Sequence, residues 1–488
     1  MQAQHPDVIA TFPADGAPRS GAGWLDQVEA QIAAGQVRAA LARLLPVVQT
    51  GGGDLRILTL AATCYWDLDD HKTAVALMQV ATTSWPDNAL AWGKLGAMAM
   101  YSGDRETARA AFAQSLRITP KSASALAALN RLDPFARDSK HVRQLRDLAR
   151  NRKVSARDRM MALNALGRVE ERAGNFRAAF GFFSRSNGLA DGRYDPVAID
   201  QKVTDQIRLF QPGDRPPVSG PVPGPRLVFI VGLPRSGTTL VESVLARHPT
   251  VRSVGESTAL ADTLKSLKHR IHGRTGQAGA WDWVTHMTDP ELQAARDLYL
   301  TRSGAISSGP HMTVLDKMPM NCLDIGLAHL MFPEARFIFL QRHPLDVGLS
   351  NFSTAFDHGN GFSTRLDWIG HITRAAYRSI DDYIAKLGDT IRVQSYRALV
   401  QSPEDQIPAL VDHADLDWDA ACLHPEQADG AVRTASVLQV REKINTAGLG
   451  KWHRYQAQLG PLIDALGGQD WIDVWDARDN GYAGQAAA

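Results

Sequence analysis

The chain has 488 residues, enough for two or three domains and more than one core usually organises. Apolar residues make up 44% and charged residues 22%, an ordinary balance for a globular protein. The formal net charge of +1 gives no global basic field, so nucleic acid is not an expected partner and any anion must be held by a local site.

Cys64, Cys322 and Cys422 are far apart and form no C-x-x-C pair, which argues against a disulfide framework and a thiolate zinc site. Residues 1–20 show neither a basic n-region nor an apolar h-region and are expected to be disordered. No apolar run reaches the ~18 residues that a membrane span needs. A reducing cytoplasm is the expected location.

Residues 21–210 read as helical and repetitive. With Trp92, Leu95 and Gly96 opening a unit, Ala108, Phe112 and Pro120 fall where a tetratricopeptide repeat places its small residue, aromatic and closing proline. One period of about 34 residues earlier, Ala74, Met78, Ala81 and Pro86 hold the same register. Trp24 and Ala40 continue it upstream, and Leu166, Gly167, Ala179 and Phe183 match it downstream. The alternative is a generic alanine-rich bundle, against which agreement in phase over several units argues. Residues 121–158 fit less well and are expected to form an irregular helical pair. Such arrays present a groove, which makes a peptide or protein partner there an expectation.

Residues 211–225, rich in proline and glycine, read as a linker. From 226 to 488 the pattern becomes α/β. "RLVFIV" (226–231), "ARFIFLQ" (335–341) and "TIRVQSY" (390–396) are candidate parallel strands with helices between them. A doubly wound sheet binds its ligand beyond the carboxyl ends of its strands, where loops 232–239 and 342–350 fall.

The first loop, "GLPRSGTT", keeps the glycine spacing of a nucleotide phosphate loop at Gly232 and Gly237, but Thr238 stands where that loop has its lysine. No convincing acidic strand end for magnesium accompanies it. The helix N-terminus, the hydroxyls of Ser236, Thr238 and Thr239, and the guanidinium of Arg235 still make a phosphate or sulfate cradle.

"PRSGTT", Pro234 to Thr239, resembles the 5′-phosphosulfate loop of sulfotransferases that use 3′-phosphoadenosine 5′-phosphosulfate (PAPS). The resemblance is greatest to the bacterial branch with tetratricopeptide repeats, related to tyrosylprotein sulfotransferases. It implies an α-helical tetratricopeptide solenoid followed by a P-loop-like α/β sulfotransferase domain with a parallel sheet. In "QRHPLDVGLS", Arg342 and Ser350 are similar to the 3′-phosphate grip. Glu256 in "VGES" matches the general base, and Lys317 in "LDKMPMN" matches the lysine at the bridging oxygen of the scissile bond, with Asn321 a weaker companion. Tyr396 resembles the tyrosine of a Y-E-x-L-V motif in which Arg397 replaces the glutamate. Ser436 and Lys451 match positions that reach the cofactor, or supply loop polarity.

The resemblance thus implies Arg235, Glu256 and Lys317 as catalytic residues, PAPS as co-substrate, adenosine 3′,5′-bisphosphate as product, and no metal. It implies an acceptor with a hydroxyl group, whose identity the sequence leaves open. Residues 362–385, with Phe362, Trp368, His371 and Tyr377, are expected on the acceptor side. Two rivals remain at this point: a P-loop kinase or nucleotidase, and an inactive adaptor that senses PAPS or its product.

Overall fold

The computed structural model describes residues 22–33, 35–51, 54–68, 70–211, 213, 224–276, 279–356, 359–427 and 442–485. The expected disordered stretch 1–20, linker residues 214–223 and Ser436 lie outside the described residues. Two compact units divide between Leu189 and Ala190.

The first unit is helical: α1 (Ala22–Ala33), α2 (Val37–Gln49), α3 (Leu55–Asp67), α4 (His71–Ser84), α5 (Ala89–Ser102), α6 (Arg105–Ile118), α7 (Ala123–Leu132), α8 (Lys140–Arg150), α9 (Ala156–Arg172) and α10 (Phe176–Asn187). The first helices of successive pairs start at Ala22, Leu55, Ala89 and Ala123, at nearly the spacing that the sequence pattern predicts. Asp54, Asp70, Asn88, Asp104 and Ser122 cap α3 to α7 by accepting from backbone N–H groups, which sets where each begins. A Cβ added to Gly96 would lie 2.9 Å from the Phe112 ring, and one on Gly167 would lie 2.4 Å from Phe183. Glycine is therefore what lets each aromatic seat between its paired helices. The pair α7 and α8 is the irregular one, since both pack chiefly on α9 rather than on each other.

The second unit opens with α11 (Pro196–Leu209), which the helical reading of 21–210 places with the repeats. The structure instead packs it on α18 (Leu366–Leu387). Gln206 and Ser379 hydrogen-bond side chain to side chain at 2.6 Å, and Phe210, just past α11, packs against Trp281 and Tyr383. Buried Val203, the Gln206 hydrogen bonds and the Phe210 ring, rather than the repeat register, decide where this helix belongs.

Five parallel strands form one sheet in the order β2 (Val251–Ser253), β3 (Thr313–Asp316), β1 (Arg226–Gly232), β4 (Arg336–Gln341) and β5 (Ile391–Ser395). The remaining helices are α12 (Thr238–Leu245), α13 (Ala259–Thr275), α14 (Asp282–His286), α15 (Asp289–Arg302), α16 (Ile325–Met331), α17 (Pro344–Phe352), α19 (Tyr396–Gln401), α20 (Pro403–His413), α21 (Gly460–Leu466) and α22 (Gln469–Gln485). The central strands are buried along nearly their whole length, as their continuous apolar runs require. Val228, Ile230, Leu315, Ile338 and Leu340 build one core with Val241, Val244 and Leu245 of α12. That packing seats the α12 N-terminus above the end of β1.

Candidate active site

All five strands run the same way, so their carboxyl ends share one edge. Along it the sheet order places Glu256 beyond β2, Lys317 beyond β3, the loop 232–237 beyond β1, Arg342 beyond β4, and Tyr396 beyond β5. Residues from Gly232 to Tyr396, far apart in sequence, thus converge because of topology.

The loop is built by backbone conformation. Gly232 has φ 143°, Arg235 φ 71° and Gly237 φ 115°. Left-handed residues at such turns bring successive N–H groups to one concave side. A Cβ on Gly237 would come within 2.4 Å of the Tyr396 ring, and one on Gly232 within 2.9 Å of the Leu340 carbonyl. Both glycines are therefore required by close approach as well as by φ. The N-cap residue of α12 is Gly237, which has no side chain to cap the helix, and the positive end of the helix faces the loop. Ser236 is 1% exposed and its Oγ has no hydrogen-bond partner among the described residues. Thr238 and Thr239 are also buried, and the Pro234 carbonyl is fixed by Asn351 Nδ2 at 2.8 Å.

Arg342 sits on the face of Tyr396, 4.5 Å from the ring centroid, and donates to the carbonyls of Arg235 (2.9 Å) and Gly448. Its Nε is buried and has no hydrogen-bond partner among the described residues. Among the described residues these partners are neutral oxygens and a ring, so none of them is a carboxylate counter-charge to the guanidinium. Ser350, in the last turn of α17, accepts from Arg235 Nε at 3.0 Å, which joins the phosphate loop to the second loop.

The C-terminal segment is tied to the same helix. Asp346, 2% exposed, accepts from the backbone N–H groups of Gly450 (2.8 Å) and Trp452 (3.0 Å). Trp452 stacks on His343 at 5.1 Å between centroids, and burial pushes the imidazole pKa below its ordinary value. Lys451 lies between the two anchored residues and is exposed. The motif reading does not single out Asp346; an acidic residue in the first turn of α17, beside the phosphate loop, is the signal that could have found it.

At the opposite end of the edge lies a cluster of charges. β3 stops level with Phe229, three residues short of Gly232, so Lys317 starts beneath the loop. It is 1% exposed. Its Nζ donates to Glu256 Oε1 at 2.5 Å and lies 3.5 Å from Glu242 Oε2. Glu256 is 43% exposed and Glu242 14%. Glu242 Oε1 in turn accepts from Ser253 Oγ at 2.6 Å, and Ser253 Oγ accepts from the Gly255 N–H at 3.0 Å.

The acidic strand end that the sequence reading does not find is Asp316, the last residue of β3 and a neighbour of β1. It is fully buried, accepts from Tyr299 OH at 2.7 Å and Asn321 Nδ2 at 3.4 Å, and burial pushes its carboxyl up to about 7. Asn321 is thus held by a buried carboxyl group. Arg397, the departure from the tyrosine motif, pairs with the 2%-exposed Asp479 of α22 at 2.7 Å. Of the residues expected on the acceptor side, Phe362 and Tyr377 are core side chains. His371 joins Tyr194 (2.6 Å) to Asp200 (3.1 Å), and Trp368 packs on Tyr194.

Residues 225–420 match the model of the sulfotransferase family. An uncharacterised protein of Aquifex aeolicus is 30% identical over 372 residues, covering 75% of this chain and 48% of that one, so this chain spans about half the length of that relative. Protein-tyrosine sulfotransferase 1 of Danio rerio is 26% identical over 257 residues, which cover 49% of this chain and 72% of the relative. The sulfotransferase domain of the Synechococcus PCC 7002 olefin synthase is 20% identical with a TM-score of 0.37, covering 54% of this chain and 98% of that one. The second unit carries a domain of the sulfotransferase family, within residues 225–420.

Proposed function

We propose that this chain transfers the sulfuryl group of PAPS to an acceptor hydroxyl. The observation that carries the reading is Arg342, a guanidinium whose described partners are all neutral, standing one strand away from a phosphate loop that lacks its lysine. The unpartnered Ser236 Oγ, the uncapped N-terminus of α12 and the two close-approach glycines fit a phosphorylated donor lying along the edge. When bound, PAPS supplies a sulfuryl group on a phosphate leaving group.

Each residue then has a role. The loop 234–239 holds the sulfate-bearing phosphate; Arg342 and Ser350 hold the 3′-phosphate, and Tyr396 supports Arg342. Ser436 and Lys451 are proposed to reach the donor. Glu256, the exposed member of the charge cluster, takes the acceptor's proton as its oxygen attacks sulfur. Lys317 stabilises the negative charge that develops on the bridging oxygen, and Arg235 does so from the loop. No step in this scheme is assigned to a metal. Incubation with sulfur-labelled PAPS and host-cell extract tests the reading: label should appear on an acceptor as adenosine 3′,5′-bisphosphate is released. Magnesium-dependent ATP turnover without label transfer would favour a kinase instead, and ligand binding without turnover an adaptor.

The acceptor is proposed to be a tyrosyl, other protein-borne or saccharide hydroxyl. The first unit, read as a tetratricopeptide array, recruits it by raising its effective concentration. Deleting residues 1–155 should then raise the apparent KM for the natural acceptor and spare transfer to a small phenol; equal loss of both would make the repeats purely structural. No helix among the described residues is long and apolar enough to cross a membrane, and a cytoplasmic location is proposed.

A further inference from the structure

Lys317 is an enclosed ammonium with two carboxylates in reach. A buried cation that loses its counter-charge is strongly disfavoured, so the cluster has to supply one throughout any reaction. Glu256 alone does not meet that need. If it accepts the acceptor's proton, it becomes a neutral acid at the moment Lys317 is to act. Glu242 belongs to α12, the helix that carries the phosphate loop, and Ser253 fixes one of its oxygens while the other faces Lys317.

We propose that Glu242 is a positioning residue: the second carboxylate berth to which Lys317 shifts when Glu256 takes up a proton. The inference rests on the sulfotransferase reading for its timing, but not for the shift itself. In the resting arrangement Nζ is close to Glu256 and further from Glu242, 2.5 Å against 3.5 Å. As the acceptor oxygen bonds to sulfur, the S–O bond to the donor phosphate breaks and its electron pair stays with the bisphosphate. The hydroxyl proton passes to Glu256, and the Lys317–Glu256 ion pair loses its negative partner. Lys317 then closes on Glu242, which remains charged and is held by Ser253. This keeps the ammonium beside α12, within the reach of the loop phosphate, rather than following Glu256 toward solvent. The Ser253 hydroxyl also receives the Gly255 N–H, so one short chain of bonds ties the berth to the backbone that presents the base.

The test is a crystal structure of Glu256→Gln, whose neutral amide stands in for the protonated base. The proposal expects Lys317 Nζ to move to about 2.8 Å from Glu242, an ordinary charged contact. An ammonium that stays on the substituted amide, with Glu242 no nearer than before, would overturn it. Turnover gives a second reading, with labelled PAPS and 4-nitrophenol as probe. Glu242→Gln should lower kcat about tenfold with the donor KM unchanged, Glu242→Asp should recover part of the loss, and Glu242→Gln should cost nothing further in Lys317→Ala. An equal cost with and without Lys317 would show a purely structural role and sink the idea. If Nζ moves as expected but Lys317→Ala leaves transfer intact, the sulfotransferase role of Lys317 fails while the berth stands.

Discussion

The two ends of the sheet's carboxyl edge balance charge in opposite ways. Beyond β4 and β5, Arg342 is bonded to carbonyl oxygens and stacked on Tyr396, so its charge is left available. Beyond β2 and β3, Lys317 faces two carboxylates and the cluster carries a net negative charge. The first arrangement suits an incoming dianion; the second suits removal of a proton beside a fixed cation. Strands lie about 4.8 Å apart, so these ends are separated by roughly 14 Å. Opposite electrostatics at the two ends of one edge are what an enzyme needs if it grips a donor at one end and activates an acceptor at the other.

Substitutions at each end should separate these functions. The largest effect is expected from Glu256→Gln: turnover at saturating donor falls about 10²- to 10⁴-fold while bisphosphate affinity is nearly kept. Steady-state kinetics with calorimetric binding would check both, and lost affinity with unchanged turnover would erase the contrast. Arg342→Ala should do the reverse, weakening adenosine 3′,5′-bisphosphate roughly ten- to a hundredfold through lost charged hydrogen bonds. Its effect on AMP, which has no 3′-phosphate, should be small by calorimetry.

The smallest effect concerns Asp316, beneath the proton-taking end. Its folded carboxyl keeps the proton up to about 7, against an ordinary value near 3.8. The folded chain therefore binds more protons between these values, and this group's stabilising contribution is complete below about pH 4 and lost as pH rises through 7. Asp316→Asn cannot titrate. The wild type should lose melting temperature relative to the variant, by roughly a few degrees, between pH 4 and 7 in thermal scans. A constant difference across that range would mean that the carboxyl does not titrate there.

What the sequence disclosed differs between these ends for physical reasons. β1, β4 and β5 were legible as apolar runs bounded by polar loops, and Arg235, Arg342 and Ser350 sit in a loop grammar dictated by backbone geometry. The helical pairing of the first unit was legible because Gly96 faces the Phe112 ring and Gly167 the Phe183 ring, where no Cβ would fit. β2 was not legible, being three half-buried residues held by β3. Glu242 reads in sequence as a solvated charge on a helix; its meaning comes from Lys317, far along the chain and across the sheet edge. Asp316 ends the short strand β3, and only the strand order shows it beside β1. α11 continued the helical pattern of the first unit in composition, and its place was decided by what Phe210 packs against.

The central claim, that the β4 end holds a 3′-phosphate, is tested most directly by comparing ligands on the unaltered chain. Adenosine 3′,5′-bisphosphate and AMP differ by that one group, and a ligand at a hundred times its dissociation constant stabilises by about 2.7 kcal/mol. At equal concentrations, the bisphosphate should raise the melting temperature by several degrees and AMP by far less. Equal shifts from the two would contradict the account.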